Sequence, residues 1–265
     1  MPCTRTIQRL VAITCSFILS TFAQVNATSA ACIVSSGPQK IALLELYTSE
    51  GCSSCPPADQ WVSSLAHGKR VSAALLPLAF HVDYWDSLGW HDPFSQTKFS
   101  DRQREYSRRR GASFVFTPQL LLDGESYRRP LIFDDLDEKV ESINRSTPRA
   151  SLQIALTRTP ARIDARVNVQ VAGSESHAAR VYIALYENNL QSTVKAGENK
   201  GAILRHDFVV RELSDPLSVD GNGLLAHEIS FRVDSQWKAR DLHLAAFVQD
   251  RLTGKIFQAL NAVCQ

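Results

Sequence analysis

The stretch IALLELYTSEGCSSCPPADQWV, residues 41–62, carries an apolar run, two cysteines separated by two serines, and a proline pair, in that order. Its first part fits a buried strand. Pro56 and Pro57 suit the first turn of a helix, where the N–H groups that prolines lack would be unpaired in any case. The pattern therefore predicts a strand, a turn holding Cys52 and Cys55, and a helix that begins at or just before Pro56. At such a helix mouth, unpaired N–H groups and the positive end of the dipole stabilise a thiolate, the attacking species in disulfide exchange. Asp59 suits the same dipole but opposes the thiolate. No basic side chain stands between the cysteines, so the expected pKa depression is modest.

Around this stretch, from Lys40 to about Ser146, strand-like runs such as AALLPLAFHV alternate with helix-like ones such as LIFDDLDEKVESIN. Strand, helix, strand in succession predicts a βαβ unit with parallel strands. After Pro148 helical spacing gives way to about seven short alternating runs, among them RIDARVNVQVA and LLAHEISFRV, separated by turn residues. That texture predicts a mainly antiparallel, sandwich-like β unit. The expected organisation is an α/β domain over residues 36–147 and a β-rich domain over 148–265.

The N-terminus reads as an export signal over residues 1–27, with cleavage between 23 and 31. Arg5 and Arg9 precede the apolar run Leu10–Ala23, which is short for a membrane span, and small residues follow. The expected location is the periplasm or the exterior, with no stable membrane anchor after cleavage. Of six cysteines, the signal removes Cys3 and Cys15. Cys32, Cys52, Cys55 and Cys264 remain, an even number in an oxidising compartment, which predicts two bridges. Cys32 and Cys264 lie near the two mature ends and form the expected structural disulfide; lipid attachment at Cys32 is an alternative. The chain has 29 Lys plus Arg against 27 Asp plus Glu, and losing Arg5 and Arg9 leaves 27 against 27. This balance points to no nucleic-acid or acidic-membrane partner.

A second constellation, FHVDYWDSLGWHDPF at residues 80–94, follows the next strand and should emerge on the same sheet edge as the cysteines. His81, Asp83, Tyr84 and Trp85 are candidates to line a groove there, with His81 or Asp83 moving the exchange proton. The competing reading has the aromatics packing a seam and the acids capping the next helix, Asp92 among them. The two cysteines with His81 also form a conceivable copper(I) or zinc site. Against it, Met1 is the sole methionine and no second CxxC exists. No metal and no cofactor are expected. The polar loop VKAGENKGAILRHDF reads as a solvated hairpin, and RQREYSRRRG as a solvated helix face ending at Gly111.

A strand, a CxxC opening a helix, and a later Thr-Pro before another strand, FTPQLLLDG with Thr117 and Pro118, resemble the thioredoxin-like superfamily. The resemblance implies an α/β thioredoxin-like fold for the first domain, a cis Pro118 against the cysteines, and a substrate groove shaped with Thr117. More closely, ELYTSEGCSSCPPAD, FHVDYWDSLGWHDPFS, RQREY, FTPQLLLDG, GENKG and FVVREL together resemble the bacterial exported family catalogued as domain of unknown function 1223, across nearly the whole mature chain. That likeness places the GENKG loop over the cysteine groove. Two departures from thioredoxins stand out. Gly51 replaces the tryptophan before the first cysteine, and Glu45, the candidate buried acid for proton handling, sits one residue too far from Cys52. A bulge brings it to the site; otherwise it points to solvent or pairs with an Arg or Lys. The reading is an exported thiol-disulfide oxidoreductase acting on a protein or small thiol or disulfide, with Cys52 as nucleophile and Cys55 as resolving thiol. Alternatives are a non-catalytic periplasmic binding protein with a structural CxxC disulfide and a copper(I) carrier. The residues fix neither the direction of exchange nor the oligomeric state.

Overall fold

A computed structural model describes residues 32–66, 74–128 and 135–262, together with Met1. The expected export signal and Cys264 lie outside these described residues. The strands are β1 (Cys32–Ser35), β2 (Ala42–Thr48), β3 (Leu75–His81), β4 (Gln119–Leu122), β5 (Glu125–Tyr127), β6 (Ala150–Thr159), β7 (Arg162–Val171), β8 (Ala179–Glu187), β9 (Leu190–Thr193), β10 (Ile203–His206), β11 (Val209–Leu213), β12 (Leu217–Ser218), β13 (Leu224–Arg232), β14 (Leu242–Asp250) and β15 (Ile256–Ala262). The α-helices are α1 (Pro56–Ala66), α2 (Thr97–Arg109) and α3 (Leu136–Asn144). Among the described residues, no helix is long and apolar enough to cross a membrane.

The opening stretch folds as its residues dictate. β2 and β3 pair in parallel, with Ala42 opposite Leu75 and Thr48 opposite His81, and α1 lies in the connection between them. Both strands are buried at every position, the signature of strands covered on two faces. The helix starts at Pro56, where the prolines leave no donor unsatisfied. β4 then adds antiparallel to β2, and β5 to β4.

The expected thioredoxin-like α/β domain followed by a sandwich-like β domain is overturned by what lies on the other side of β3. There β11, from the second half of the chain, pairs in parallel with β3 at Val209 opposite Ala79 and antiparallel with β8. Ala79 N donates to Phe208 O at 2.8 Å across this junction. A nine-stranded sheet results, in the order β15-β14-β8-β11-β3-β2-β4-β5 with β12 on β8, and the chain is mostly β. An open β3 edge would leave a row of unpaired backbone groups, and β11 closes it. The change of texture after Pro148 thus marks a change in how strands are covered, with β8, β11, β12, β14 and β15 lying in the same nine-stranded sheet as β2 and β3.

That covering explains the two sequence patterns of the second half. β6, β7 and β13 belong to a four-stranded sheet, β1-β6-β7-β13, and β6 and β7 alternate between buried and more exposed positions. Their inner side chains, Ile154 and Val167 among them, form one core with Val181, Ile183, Leu244 and Ala246 of β8 and β14. The opposite side chains of those two strands, Tyr182, Tyr186 and Phe247, join the core built on β2 and β3. β8 and β14 are therefore buried almost throughout. Each such apolar side chain removed from water contributes about 1.5–3 kcal/mol. Cys32, on β1, is disulfide-bonded.

The parity of β2 and β3 sorts their polar side chains. Thr48 and its neighbour His81 lie on the face that carries α1, where the Thr48 hydroxyl donates to Asp59 at 3.1 Å. Glu45, Tyr47 and Phe80 lie on the opposite face, against α2. Two separate polar environments arise from one strand pair.

Candidate functional site

The turn after β2 is held by its own backbone. Cys52 N donates to Ser49 O and Cys55 N to Cys52 O, each at 3.2 Å, and Cys55 O then accepts from Ala58 and Asp59 as α1 begins. Both cysteines are free thiols at the helix mouth, Cys52 2% and Cys55 0% exposed. Their acidities diverge. A hydrogen bond from the Cys55 thiol is the largest influence on Cys52 and, with Thr117 and the backbone N–H groups of Ser54 and Cys55, outweighs burial to lower its pKa to about 6. Burial, followed by its hydrogen bond to Cys52 and then the charges of Asp59 and Cys52, pushes the Cys55 thiol far up. The sequence predicted a modest depression; the second thiol, placed as donor, supplies more than the helix dipole alone.

Thr117 meets the pair. Thr117 O lies 3.8 Å from Cys52 Sγ, and the Thr117–Pro118 peptide is cis. Trp85 holds the threonine, its Nε1 donating to Thr117 Oγ1 at 2.8 Å. A side chain at Gly51 would place its Cβ 3.1 Å from Trp85 Cβ, so this glycine is what lets Trp85 sit against the cysteine turn. Tyr84 donates to Gln103 Oε1 at 3.2 Å, and Gln103 Nε2 donates to Phe116 O at 2.8 Å and Gln119 Oε1 at 2.9 Å. Burial raises the Tyr84 pKa to about 12. Tyr84 and Trp85 thus support the segment that faces Cys52.

Asp83 is placed elsewhere. It accepts from the Thr97 and Ser100 hydroxyls at the start of α2, and these bonds outweigh burial to lower its pKa. It anchors a helix. Asp92, expected as a cap, instead lies buried beneath the cysteine turn, accepting from Glu50 N at 2.8 Å, Phe94 N at 2.9 Å and His81 Nδ1 at 2.7 Å. Burial raises its pKa, but the charge and hydrogen bond of His81 prevail and lower it.

His81 is fully buried and packs edge-on against His206 of β10, ring centroids 5.0 Å apart. His206 Nε2 lies 3.1 Å from Glu50 Oε1, and Glu50 Oε2 accepts from Trp90 Nε1 at 2.8 Å and Ser192 Oγ at 3.0 Å. Asp59 closes the group from α1; burial lifts its pKa to about 7 against the pull of His206 and Thr48. The GENKG loop sits over the turn, as the family likeness implied. Asn199 Nδ2 donates to Glu50 O at 2.8 Å and Cys52 O at 2.9 Å, while Glu198 accepts from Ser53 N at 2.9 Å. Gly197, at φ +71°, lets the loop pass Trp90, whose Cβ would stand 3.1 Å from an added Cβ.

Glu45 does not join this group. It pairs with Arg102 at 2.8 Å on the α2 face, both buried, and accepts from Tyr47 at 3.2 Å. Arg102 is stacked over Tyr182 and Phe247, 4.6 and 5.0 Å from their ring centroids. The basic run read as a solvated face therefore sends one arginine into the core. Sequence reasoning missed Glu50 and His206 as parts of the site. The available signal was weak: an acid two residues before the first cysteine, and a histidine on an alternating strand of a distant hairpin.

The family described as "Protein of unknown function (DUF1223)" matches residues 43–249, and the chain belongs to it. No curated protein matches the chain. Among solved structures, a structural-genomics protein of Agrobacterium tumefaciens is similar at a TM-score of 0.59 and 21% identity, over 84% of this chain and 93% of that one. HBP35 of Porphyromonas gingivalis is similar at a TM-score of 0.63 and 15% identity, over 85% of this chain and 75% of that one. At these identities the likeness is one of fold.

Proposed function

We propose that this member of the DUF1223 family is an exported thiol-disulfide exchange protein that uses Cys52 and Cys55. The observation that carries the reading is the asymmetric pair at the mouth of α1: Cys55 donates to Cys52, which titrates at about 6, while Cys55 itself is held protonated. A thiolate attacks and a thiol waits, the division of labour that exchange requires. The disulfide at Cys32 supports an oxidising compartment, in line with the export signal read from the sequence.

In the reducing direction, the Cys52 thiolate attacks a substrate disulfide sulfur, forming a mixed disulfide and expelling one substrate thiolate. Cys55 Sγ then attacks Cys52 Sγ, its proton passing to the departing second substrate thiolate. The protein pair is oxidised to a disulfide by two electrons, and the substrate is reduced to two thiols. Thr117 O, beside Cys52, marks where the substrate chain would approach. The substrate is a protein segment or a small disulfide, because Cys52 is nearly covered.

Cys52→Ser should abolish reduction of insulin disulfides, and Cys55→Ser should accumulate the mixed disulfide with substrate. Full activity in Cys52→Ser would overturn the assignment of roles. The burial of the pair favours a second reading, a non-catalytic binding protein in which a Cys52–Cys55 bridge rigidifies the turn. The reduction potential separates the two. A value between roughly −280 and −120 mV supports exchange, and one below about −300 mV supports the staple.

A further inference from the structure

We propose that Asp59, His81 and His206 form a binding site for one divalent transition-metal ion of the zinc class, next to the cysteine turn. One donor atom from each lies within 4.8 Å of the other two, and all three residues are buried. The cluster is assembled by the fold: Asp59 from α1, His81 from the end of β3 and His206 from β10.

The histidines carry the argument. His81 Nδ1 is committed to Asp92, and His206 Nε2 to Glu50. The other nitrogen of each ring, His81 Nε2 and His206 Nδ1, is buried with no hydrogen-bond partner. A carboxylate fixes which nitrogen carries the proton and leaves a lone pair on the other. Histidines that ligate metals are held in this manner, one nitrogen on the ion and the other on a carboxylate. Here two rings show it side by side, with a third donor between elements. A buried polar atom without a partner is costly, so two in one pocket call for a common ligand.

Charge and chemistry narrow that ligand. Glu50, Asp59 and Asp92 bring three buried carboxyl groups around two imidazoles, and a divalent cation offsets most of their negative charge without protonating either ring. Two imidazole nitrogens and a carboxylate oxygen suit zinc and similar first-row ions, and leave a fourth position open. Bonds of about 2.0–2.1 Å require the donors to draw together. Asp59 is tethered through its carboxylate to the Thr48 hydroxyl, a single contact that permits rotation. Neither cysteine belongs to the cluster, so the proposal stands apart from thiol exchange.

The test uses the whole protein in which both thiols are removed, Cys52→Ser/Cys55→Ser, titrated with Zn2+ against a chromophoric chelator. One zinc per chain is expected. His81→Gln, His206→Gln and Asp59→Asn should each lose stoichiometric binding, and Asp92→Asn should weaken it by roughly 10- to 100-fold. Circular dichroism without metal checks that each variant folds. Should a variant fail to fold, cobalt(II) in the thiol-free protein decides by proton NMR. Two paramagnetically shifted, exchangeable imidazole N–H signals, from His81 Nδ1 and His206 Nε2, are expected. The proposal is overturned if the thiol-free protein binds no zinc while the parent does, if neither binds it, if folded histidine variants bind undiminished, or if those two signals are missing. Absence of insulin reduction by the parent protein, thiols intact, with zinc binding retained, would defeat the exchange reading alone.

Discussion

Two buried polar groups occupy opposite faces of the same two strands, and they differ in what remains unspent. On the α2 face, Glu45 and Arg102 pair at 2.8 Å, Arg102 also donates to Gln249 at 3.1 Å, and aromatic rings cover the guanidinium. On the α1 face, Asp59, His81 and His206 gather beside two thiols with two ring nitrogens unpartnered. Burial alone does not distinguish structure from function here. The closed group has its charges matched and its donors engaged, and serves the fold. The open group keeps lone pairs, thiols and a carboxyl group titrating near neutrality, which are the materials of chemistry.

The largest effect that would break this contrast lies on the closed face. Arg102→Met leaves Glu45 buried and unpaired, and should cost about 3–5 kcal/mol in denaturant unfolding. Replacing both partners with apolar residues, Glu45→Leu with Arg102→Met, should recover most of that loss, because the desolvation of both charges disappears with them. Insulin reduction by the folded fraction should persist. A cost below about 1 kcal/mol would show that Arg102 is hydrated or paired elsewhere, and the closed face would lose its distinction.

The open face should reveal itself by pH. With Cys52 at about 6, its alkylation rate in the reduced protein should rise through a midpoint near pH 6, against an ordinary thiol value of 9.0. At pH 7 about 90% of Cys52 would be thiolate, against about 1% for an unperturbed thiol of that value. The sign for stability follows. Folding lowers this pKa, so the Cys52 contribution to reduced-state stability is fully present above the unfolded value near 9 and is lost as pH falls through about 6. Cys55 acts oppositely, since its folded pKa is raised, and destabilises the fold once the unfolded thiol ionises. A midpoint at or above 8.5 would remove the thiolate from the proposed mechanism.

How much of this was legible depended on how far apart the partners lie in sequence. The β2–turn–α1 unit, the prolines at the helix start and the parallel β3 were readable, because apolar runs and proline sterics act over a few residues. Insertion of β11 beside β3 was not, since nothing in FVVREL states which edge it will close. Period and charge competed in α2. RQREYSRRRG is basic enough to read as solvated, yet the helical repeat turns Arg102, Gln103 and Tyr106 inward together. Glu45 was a candidate proton carrier from its place beneath the cysteines. Strand alternation decides against that role, because Thr48 faces α1 and a residue three positions earlier faces away. His206 was hidden by distance, and its β10 strand alternates like any solvated hairpin.

The smallest effect tests the cover over the open face. Asn199 donates from one nitrogen to Glu50 O and Cys52 O, joining the GENKG loop to the turn that carries the nucleophile. Asn199→Ala removes both bonds, and should cost about 1 kcal/mol. The consequence for Cys52 is larger than for the fold. If a reagent reaches the thiolate only when the loop lifts, making that opening about 1 kcal/mol easier should speed alkylation about five-fold, with its midpoint unchanged near pH 6. An unchanged rate would mean that reagents approach from the Thr117 side without moving the loop. The distinction between the two buried groups would then rest on their donors alone, and the loop would serve to hold Glu50 in place beneath His206.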